Sequence, residues 1–290
     1  MALATPELPP AFLLPYKDSL FYEAVREGFR LGIVTLIATI LLDLIAWRTI
    51  YTMLIRKKSD NSDDRMLYFK AILANLLNNL LLGPLIYGAV VRFHIYKDLE
   101  NAESLPEDSD DAVTIFGKGC IVLITEAVGY YLMHSAMHTR ELIWMHKFHH
   151  KFTCEKIVPM AANAVSVAEY LLAYMLPIVL GAVISGSGRY ALLWSVGVIS
   201  SNNLLIHTPW LHDMSEKVPL QNSLQSVNIL VVPQVLPDIF VSTAKHFDHH
   251  NRLTKHYAAP TVDIDLFVSV VQHRVNKLMT FFGFEHTKTI

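Results

Sequence analysis

Long apolar runs separated by short polar connections set the pattern of this chain. A bilayer core takes about 20 mostly apolar helical residues. Five stretches are read as spans: 31–55, 67–91, 112–133, 164–185 and the shorter 190–206. "GSG" at 186–188 is a tight-turn signal between the last two. These two predict a hairpin that reaches only part-way across. The start, "MALATPELPPAFLLPYKD", has no basic n-region and is broken by Pro6, Pro9, Pro10 and Pro15. It reads as a loose leader without a cleavable signal. "SLFYEAVREGFR" follows, with apolar and charged residues at helical spacing, and predicts a helix lying in the membrane interface. Near the other end, Ile264, Phe267, Val268, Val271 and Val275 mark an amphipathic helix over 262–283. The connection 208–245 contains "SVNILVVPQVLPDIFV", which Pro233 and Pro237 break too often to span. It is expected either to cover the site and admit a lipid from the bilayer or to pack as a connector.

The pattern predicts an all-α fold: an integral membrane bundle of four to five spans with a cytosolic, histidine-rich helical cap. Three regions follow. Residues 1–110 hold the leader and two spans, 111–265 hold the chemistry, and 266–290 form the amphipathic helix and tail. Charge gives the orientation, because Lys and Arg favour the cytoplasmic side of short loops. The 56–65 loop carries four, and 134–162 carries Arg140, Lys147, Lys151 and Lys156. The acidic 92–111 loop carries two and the 186–189 turn one. With five spans, the histidine-rich segment and the C-terminus fall on the cytosolic side and the N-terminus on the lumenal side.

Composition narrows the function. Hydrophobic residues make up 52% and charged residues 17%, with a formal charge of −2, so no global field recruits nucleic acid. Two cysteines, Cys120 and Cys154, make neither a disulfide framework nor a CxxC site. Fourteen histidines are the anomaly. "HSAMH" places His134 and His138 four apart, on one helix face. "HKFHH" gives His146, His149 and His150, and "HFDHH" repeats that spacing with His246, His249 and His250. Eight imidazoles exceed what one ion uses, and zinc typically takes four ligands. Eight or nine, counting His207 in "NNLLIHTPW", fit two metals with open positions. Imidazole suits Zn, Cu, Fe and Ni alike, so ligand type does not choose the metal. Neither HExxH nor ExxH occurs. His94, His273 and His286 stand alone and read as ordinary residues; His212 and His256 lie near the boxes.

Ligating histidines need their second ring nitrogen held. Glu126, Tyr130, His134 and His138 form an i, i+4 line. An ionisable Glu126 inside a span is a functional candidate, either orienting His134, polarising the pocket wall or making a helix–helix hydrogen bond. Asn203, four before His207, is a candidate to orient it. Glu169 reads as an acid favouring a helix N-terminus. Asp43, Asn75, Asn78 and Asn79 read as interhelical contacts.

The order HxxxH, seven residues, HxxHH and a distant HxxHH resembles the membrane fatty acid hydroxylase and sterol desaturase superfamily. The resemblance covers roughly 115–265 and is carried by "HSAMHTRELIWMHKFHH" and "HFDHHNRLTKHYAAPTVDID". Two positions depart from the family pattern: Ser135 stands where many members have Arg, and His207 lies in "HTPW" rather than H-S/T-G. The resemblance implies a non-haem di-iron site of the endoplasmic reticulum membrane that uses O2 on a lipid. Its ligands would be His134, His138, His146, His149, His150, His246, His249 and His250, with His207 as the family's isolated middle histidine. It implies hydroxylation of a sterol or of a fatty acyl or sphingoid lipid. A lipid desaturase on the same scaffold is the alternative, and a non-oxidative zinc membrane protein a third. No haem-binding or nucleotide-binding motif appears in the chain. Electrons are therefore expected from an external NAD(P)H-fed chain, through cytochrome b5 or a reductase. "HTKTI" at the end loosely resembles a lysine-based retrieval signal.

Overall fold

The computed structural model describes residues 19–54, 61–99, 103–153, 156–208 and 240–281. The leader, Cys154, His212, the Pro233–Pro237 stretch of the expected cover, His286 and the "HTKTI" tail lie outside the described residues.

The fold is an all-α membrane bundle. In chain order its main helices are α1 (Ser19–Ile45), α2 (Trp47–Leu54), α3 (Asn61–Leu77), α4 (Gly83–Val90), α5 (Ala112–Met137), α6 (Leu176–Ser185), α7 (Arg189–Ile206), α8 (Thr243–Arg252) and α9 (Ile264–Phe281). Short π-helical turns join α3 to α4 over Asn78–Leu82 and lead into α6 over Tyr170–Met175. Each thus belongs to a continuous rod. Four rods are long and apolar enough to cross a membrane: Ser19–Ile45, Asp63–Ile95, Ala112–Met137 and Val167–Ser185.

The first span begins and ends earlier than its apolar run suggests. "SLFYEAVREGFR" is not a separate interfacial helix but the opening of α1, and the chain turns at Ala46. The reason is a buried stripe that runs unbroken through both halves: Leu20, Ala24, Gly28, Gly32, Thr35, Thr39 and Asp43. The charges in the first half are accommodated along the way. Arg26 pairs with Glu23, and Glu27 accepts a hydrogen bond from the Tyr87 hydroxyl at 2.5 Å.

Helix α7 is less apolar than the other four rods, yet it does not stop part-way. Arg189 at its start lies 3.8 Å from Glu27 near the start of α1, and it ends one residue before His207 at the histidine cluster. The rod Val167–Ser185 runs between the same two levels in the opposite direction, and both pack along α5. Gly186 makes the turn between them in the left-handed region (φ 57°). The starts of α1, α5 and α7 therefore lie at the end of the bundle opposite the histidines.

One irregular segment decides how the second histidine box is held. Residues 157–165 are buried throughout, with one short 3-10 turn, Pro159–Ala161, pairing only part of their backbone. Irregular backbone inside a membrane bundle persists only where protein groups satisfy it. Four side chains do so. Asp43 accepts from the Met160 amide at 3.1 Å, and Asn75 donates to the Met160 carbonyl at 2.8 Å. Asn78 donates to the Asn163 carbonyl at 3.2 Å and Asn203 to the Ala162 carbonyl at 3.1 Å. Asn75 and Asn78 thus tie helices to this segment rather than to each other. Asp43 also bridges α1 and α3 by accepting from the Tyr68 hydroxyl at 2.6 Å.

Close packing of α1 on the Asn78–Leu82 turn positions those asparagines. A Cβ on Gly32 would sit 2.0 Å from the Asn79 carbonyl oxygen, whereas one on Gly117 would meet nothing within 4 Å. Gly32→Ala is expected to lower stability in detergent by about 1–3 kcal/mol, the usual cost of overpacking. Gly117→Ala should not lower the melting temperature and should raise it slightly, because alanine is favoured over glycine inside a helix. Thermal unfolding of the two variants checks the contrast.

Candidate metal centre

Four elements deliver the histidines, one of them α7, which His207 caps. His134 lies in the last turn of α5 and His138 caps that helix. The third box lies on α8, whose start is capped by Ser242 accepting from the Lys245 amide at 3.2 Å. The second box is not one helical face. It starts in a single turn, Ile143–His146, and ends in a 3-10 turn, His149–Lys151.

The side chains gather into two groups. One contains His134, His138, His146, His150 and His249; the other contains His149, His207, His246 and His250. Within each group the nearest ligand nitrogens lie within 4.8 Å of one another. Both HxxHH boxes are split. His146 and His150 face the first group and His149 the second, while His246 and His250 face the second and His249 the first. Neither box is a half-set for one centre; each braces both.

The ring nitrogens are placed for cations. The carbonyl of Tyr257 accepts from His134 Nδ1 at 2.7 Å, that of Asn203 from His207 Nδ1 at 2.7 Å, and that of Lys255 from His249 Nδ1 at 2.8 Å. A carbonyl can only accept, so these three Nδ1 atoms carry the proton and each Nε2 presents a lone pair. Glu169 Oε1 holds His146 Nδ1 in the same way at 2.6 Å, with both side chains fully buried. The inner Nε2 atoms then crowd together: His134 to His146 at 2.8 Å, His138 to His134 at 3.3 Å and His150 to His138 at 3.1 Å. In the second group His246 lies 2.9 Å from His207, His250 3.2 Å from His246, and His207 3.5 Å from His149. Ligands about 2.0–2.1 Å from one ion stand roughly 2.8–3.0 Å apart along an octahedral edge and roughly 3.3–3.4 Å apart along a tetrahedral one. The observed spacings, 2.8–3.5 Å, cover that range. The Nε2 atom of His249 is buried without a protein partner.

Burial keeps these rings neutral. Desolvation first, then neighbouring imidazoles, pushes His138 down to about 4 and His150 down to about 2. Burial pushes His207 and His249 down to about 4 despite their carbonyl hydrogen bonds. Neutral imidazole is the form that binds a metal.

The other candidates fall into distinct places. Tyr130 packs its ring against His134 at 5.0 Å between centroids. Glu126 is buried and accepts from the Thr261 hydroxyl at 3.3 Å, while the ring nitrogen of His134 goes to Tyr257 instead. Asn203 orients His207, but through its backbone carbonyl; its amide goes to Ala162 and Asn163. Glu169 is the residue that sequence reasoning passed over. It follows Ser166 at capping-box spacing, and Ser166 Oγ does accept from its amide at 3.1 Å. Its reading as an acid favouring a helix N-terminus hid the carboxylate, which turns to His146. The rule that singled out Glu126, an acid inside an apolar helix, applies equally to Glu169. His256 belongs to neither group and pairs with Asp248 at 3.4 Å. His94 lies in the Val91–Ile95 turn and His273 on the exposed part of α9, away from both groups.

Comparison with known proteins gives one match. The family model described as fatty acid hydroxylase covers residues 119–269, just over half of the chain. That range includes all nine grouped histidines, Glu126 and Glu169. No curated protein and no solved structure matches the chain.

Removing the support of a ligating histidine typically costs roughly 10–100-fold in metal affinity. Glu169→Leu is therefore expected to weaken metal retention by about that factor, and Glu169→Gln by less because its amide oxygen still accepts from His146. His256→Ala should retain metal like the unaltered protein. Metal content after chelator titration of the purified variants checks the order.

Proposed function

This chain belongs to the fatty acid hydroxylase family, and on that premise we propose that it is a membrane-bound, O2-dependent lipid hydroxylase with two irons held by nine histidines. His134, His138, His146, His150 and His249 would hold one iron, and His149, His207, His246 and His250 the other. The observation that carries the reading is the convergence of buried, neutral imidazole lone pairs into two adjacent groups within the family-matched region. Bound iron supplies redox chemistry: O2, two electrons and two protons convert a lipid C–H bond to C–OH and release water.

The chain's own residues prepare that chemistry. Carbonyls of Lys255, Asn203 and Tyr257 fix which ring nitrogen faces inward. Glu169 adds a carboxylate behind His146, which raises the basicity of that ligand. The two groups differ on this point: the first has the carboxylate, and the second has only neutral partners among the described contacts. His134, His146, His149, His207, His246 and His250 are buried, which excludes water around the redox metals. Four apolar rods place this cluster against a bilayer, where a lipid is the substrate at hand. We read the protein as a multi-pass enzyme of the endoplasmic reticulum membrane with its histidines facing the cytosol. Electrons come from an NAD(P)H-fed cytochrome b5 or reductase partner. The favoured substrate is a sterol or a fatty acyl or sphingoid lipid.

Cells producing the protein should gain a lipid product heavier by one oxygen, labelled when the oxygen supplied is 18O2. His246→Ala should abolish it at equal protein level. A product lighter by two hydrogens would reassign the enzyme as a desaturase, and no O2-dependent product would defeat the oxidase reading altogether. Lipid mass spectrometry makes the measurement.

A further inference from the structure

Helix α9 leaves the bundle almost as soon as it begins, but its root is fixed. Ile264 packs against the core cluster that contains Met137, the last residue of α5. Asp265 accepts from the Ala258 amide at 2.7 Å, and Asp263 pairs with Lys245 at 2.6 Å. Beyond the root the described chain leaves the helix uncovered. Residues 269–279 are exposed throughout, with Val271 60% and Leu278 57% exposed. A helix like this is marginal in water. Val268, Val270, Val271 and Val275 lose rotamer freedom in helical conformation. Most helical stability comes instead from packing an amphipathic face. Such a face is present. Ile264, Phe267, Val268, Val271, Val275 and Leu278 fall within a sector of about 100° around the helix. Ser269, His273 and Lys277 lie on the opposite side.

We infer that α9 lies on the bilayer surface at the histidine end of the bundle, its apolar face about 5–10 Å into the boundary between headgroups and acyl chains. The inference rests on the membrane bundle and not on the reaction. Continuity with the span supports it. Ile124, Val128 and Leu132 are exposed along α5, a membrane-crossing rod. Leu132 stands about 7.5 Å before Met137 along that helix, so α9 is rooted where this apolar side ends. The width of the face also fits a lipid surface. A coiled-coil seam is narrower and is sustained over about three or four heptads, which the 18 residues of α9 do not reach. Charge decides between lipid and a second copy. After Asp265 the helix carries Arg274 and Lys277 and no carboxylate. A second α9 laid against it would offer those cations no acidic partner past its first turn, whereas phosphate and anionic headgroups do. Arg274 stands at the edge of the apolar sector, where its stem runs along hydrocarbon while its guanidinium reaches the headgroups.

The test uses the full-length protein, with Cys120 and Cys154 replaced by serine, in vesicles of phosphatidylcholine and phosphatidylserine. Single nitroxide labels are placed through Val271→Cys, Val275→Cys, Ser269→Cys or His273→Cys, all at exposed positions. Electron paramagnetic resonance power saturation compares collisions with O2, which concentrates in hydrocarbon, and with a water-soluble nickel chelate. The ratio of O2 to nickel collisions is expected to be severalfold higher at 271 and 275 than at 269 and 273. Arg274→Glu combined with Lys277→Glu should reduce that contrast, because phosphatidylserine repels the reversed charges. Free access of nickel to all four labels would place the helix in water and overturn the inference. Shielding of 271 and 275 from both reagents overturns it in favour of a protein partner, and spin–spin broadening at those positions would identify that partner as a second copy. A contrast that the charge reversal leaves unchanged overturns the role assigned to Arg274 and Lys277.

Discussion

Everything in this structure depends on one unfavourable juxtaposition: imidazole lone pairs buried face to face. Three of the nine grouped rings have their Nδ1 proton committed to a carbonyl that can only accept, so their Nε2 atoms bring electron density into the same small volumes. Protonation would relieve this, but burial among other imidazoles pushes the rings toward neutrality. A cation at the centre of each group is the remaining relief. The fold therefore pre-organises two sets of ligands, and at His134, His146, His207 and His249 the partner of Nδ1 sets the direction in which the ligand faces.

Those partners come from parts of the chain that carry no histidine signature. The segment after the third box passes its Lys255 and Tyr257 carbonyls to His249 and His134. It continues to Thr261, which donates to Glu126 on α5, and its Thr261 carbonyl accepts from the Val241 amide at 3.0 Å, closing the start of α8 against its own tail. On the other side, the buried 157–165 segment links the second box to the rod bearing Glu169, and Asp43, Asn75, Asn78 and Asn203 hold it. Polar residues of the first two spans, far from the histidine boxes in sequence, thereby fix the position of His146. This is a mechanical role for α1 and α3, whose sequences lie outside the family match.

Much of this was legible in the residues, and what was not has physical reasons. The apolar runs locate the rods because bilayer thickness sets their length. Histidine spacing marks the candidate ligands because imidazoles on adjacent turns converge. Spacing does not say which ring serves which centre. In both HxxHH boxes the first and fifth positions serve one group and the fourth the other, whether the box is broken into short turns, as at His146–His150, or lies on a regular helix, as at His246–His250. The start of α1 was obscured because Glu23, Arg26 and Glu27 look interfacial, although a buried stripe runs past them. Glu169 was masked by an adequate local explanation, an acid favouring a helix N-terminus. "IVPMAANAV" shows no helical periodicity, since beyond one 3-10 turn its pairing is tertiary.

The central claim is that the nine histidines hold two irons in all-nitrogen-and-oxygen surroundings with the two groups unequal. Iron-edge X-ray absorption and Mössbauer spectroscopy of the purified protein, reconstituted with 57Fe(II), tests it most directly. The account predicts two irons per chain, outer-shell scattering characteristic of imidazole, no sulfur, and two distinguishable ferrous signals, of which Glu169→Leu displaces one. A single iron per chain, or two irons whose signals are both indifferent to Glu169→Leu, would contradict it.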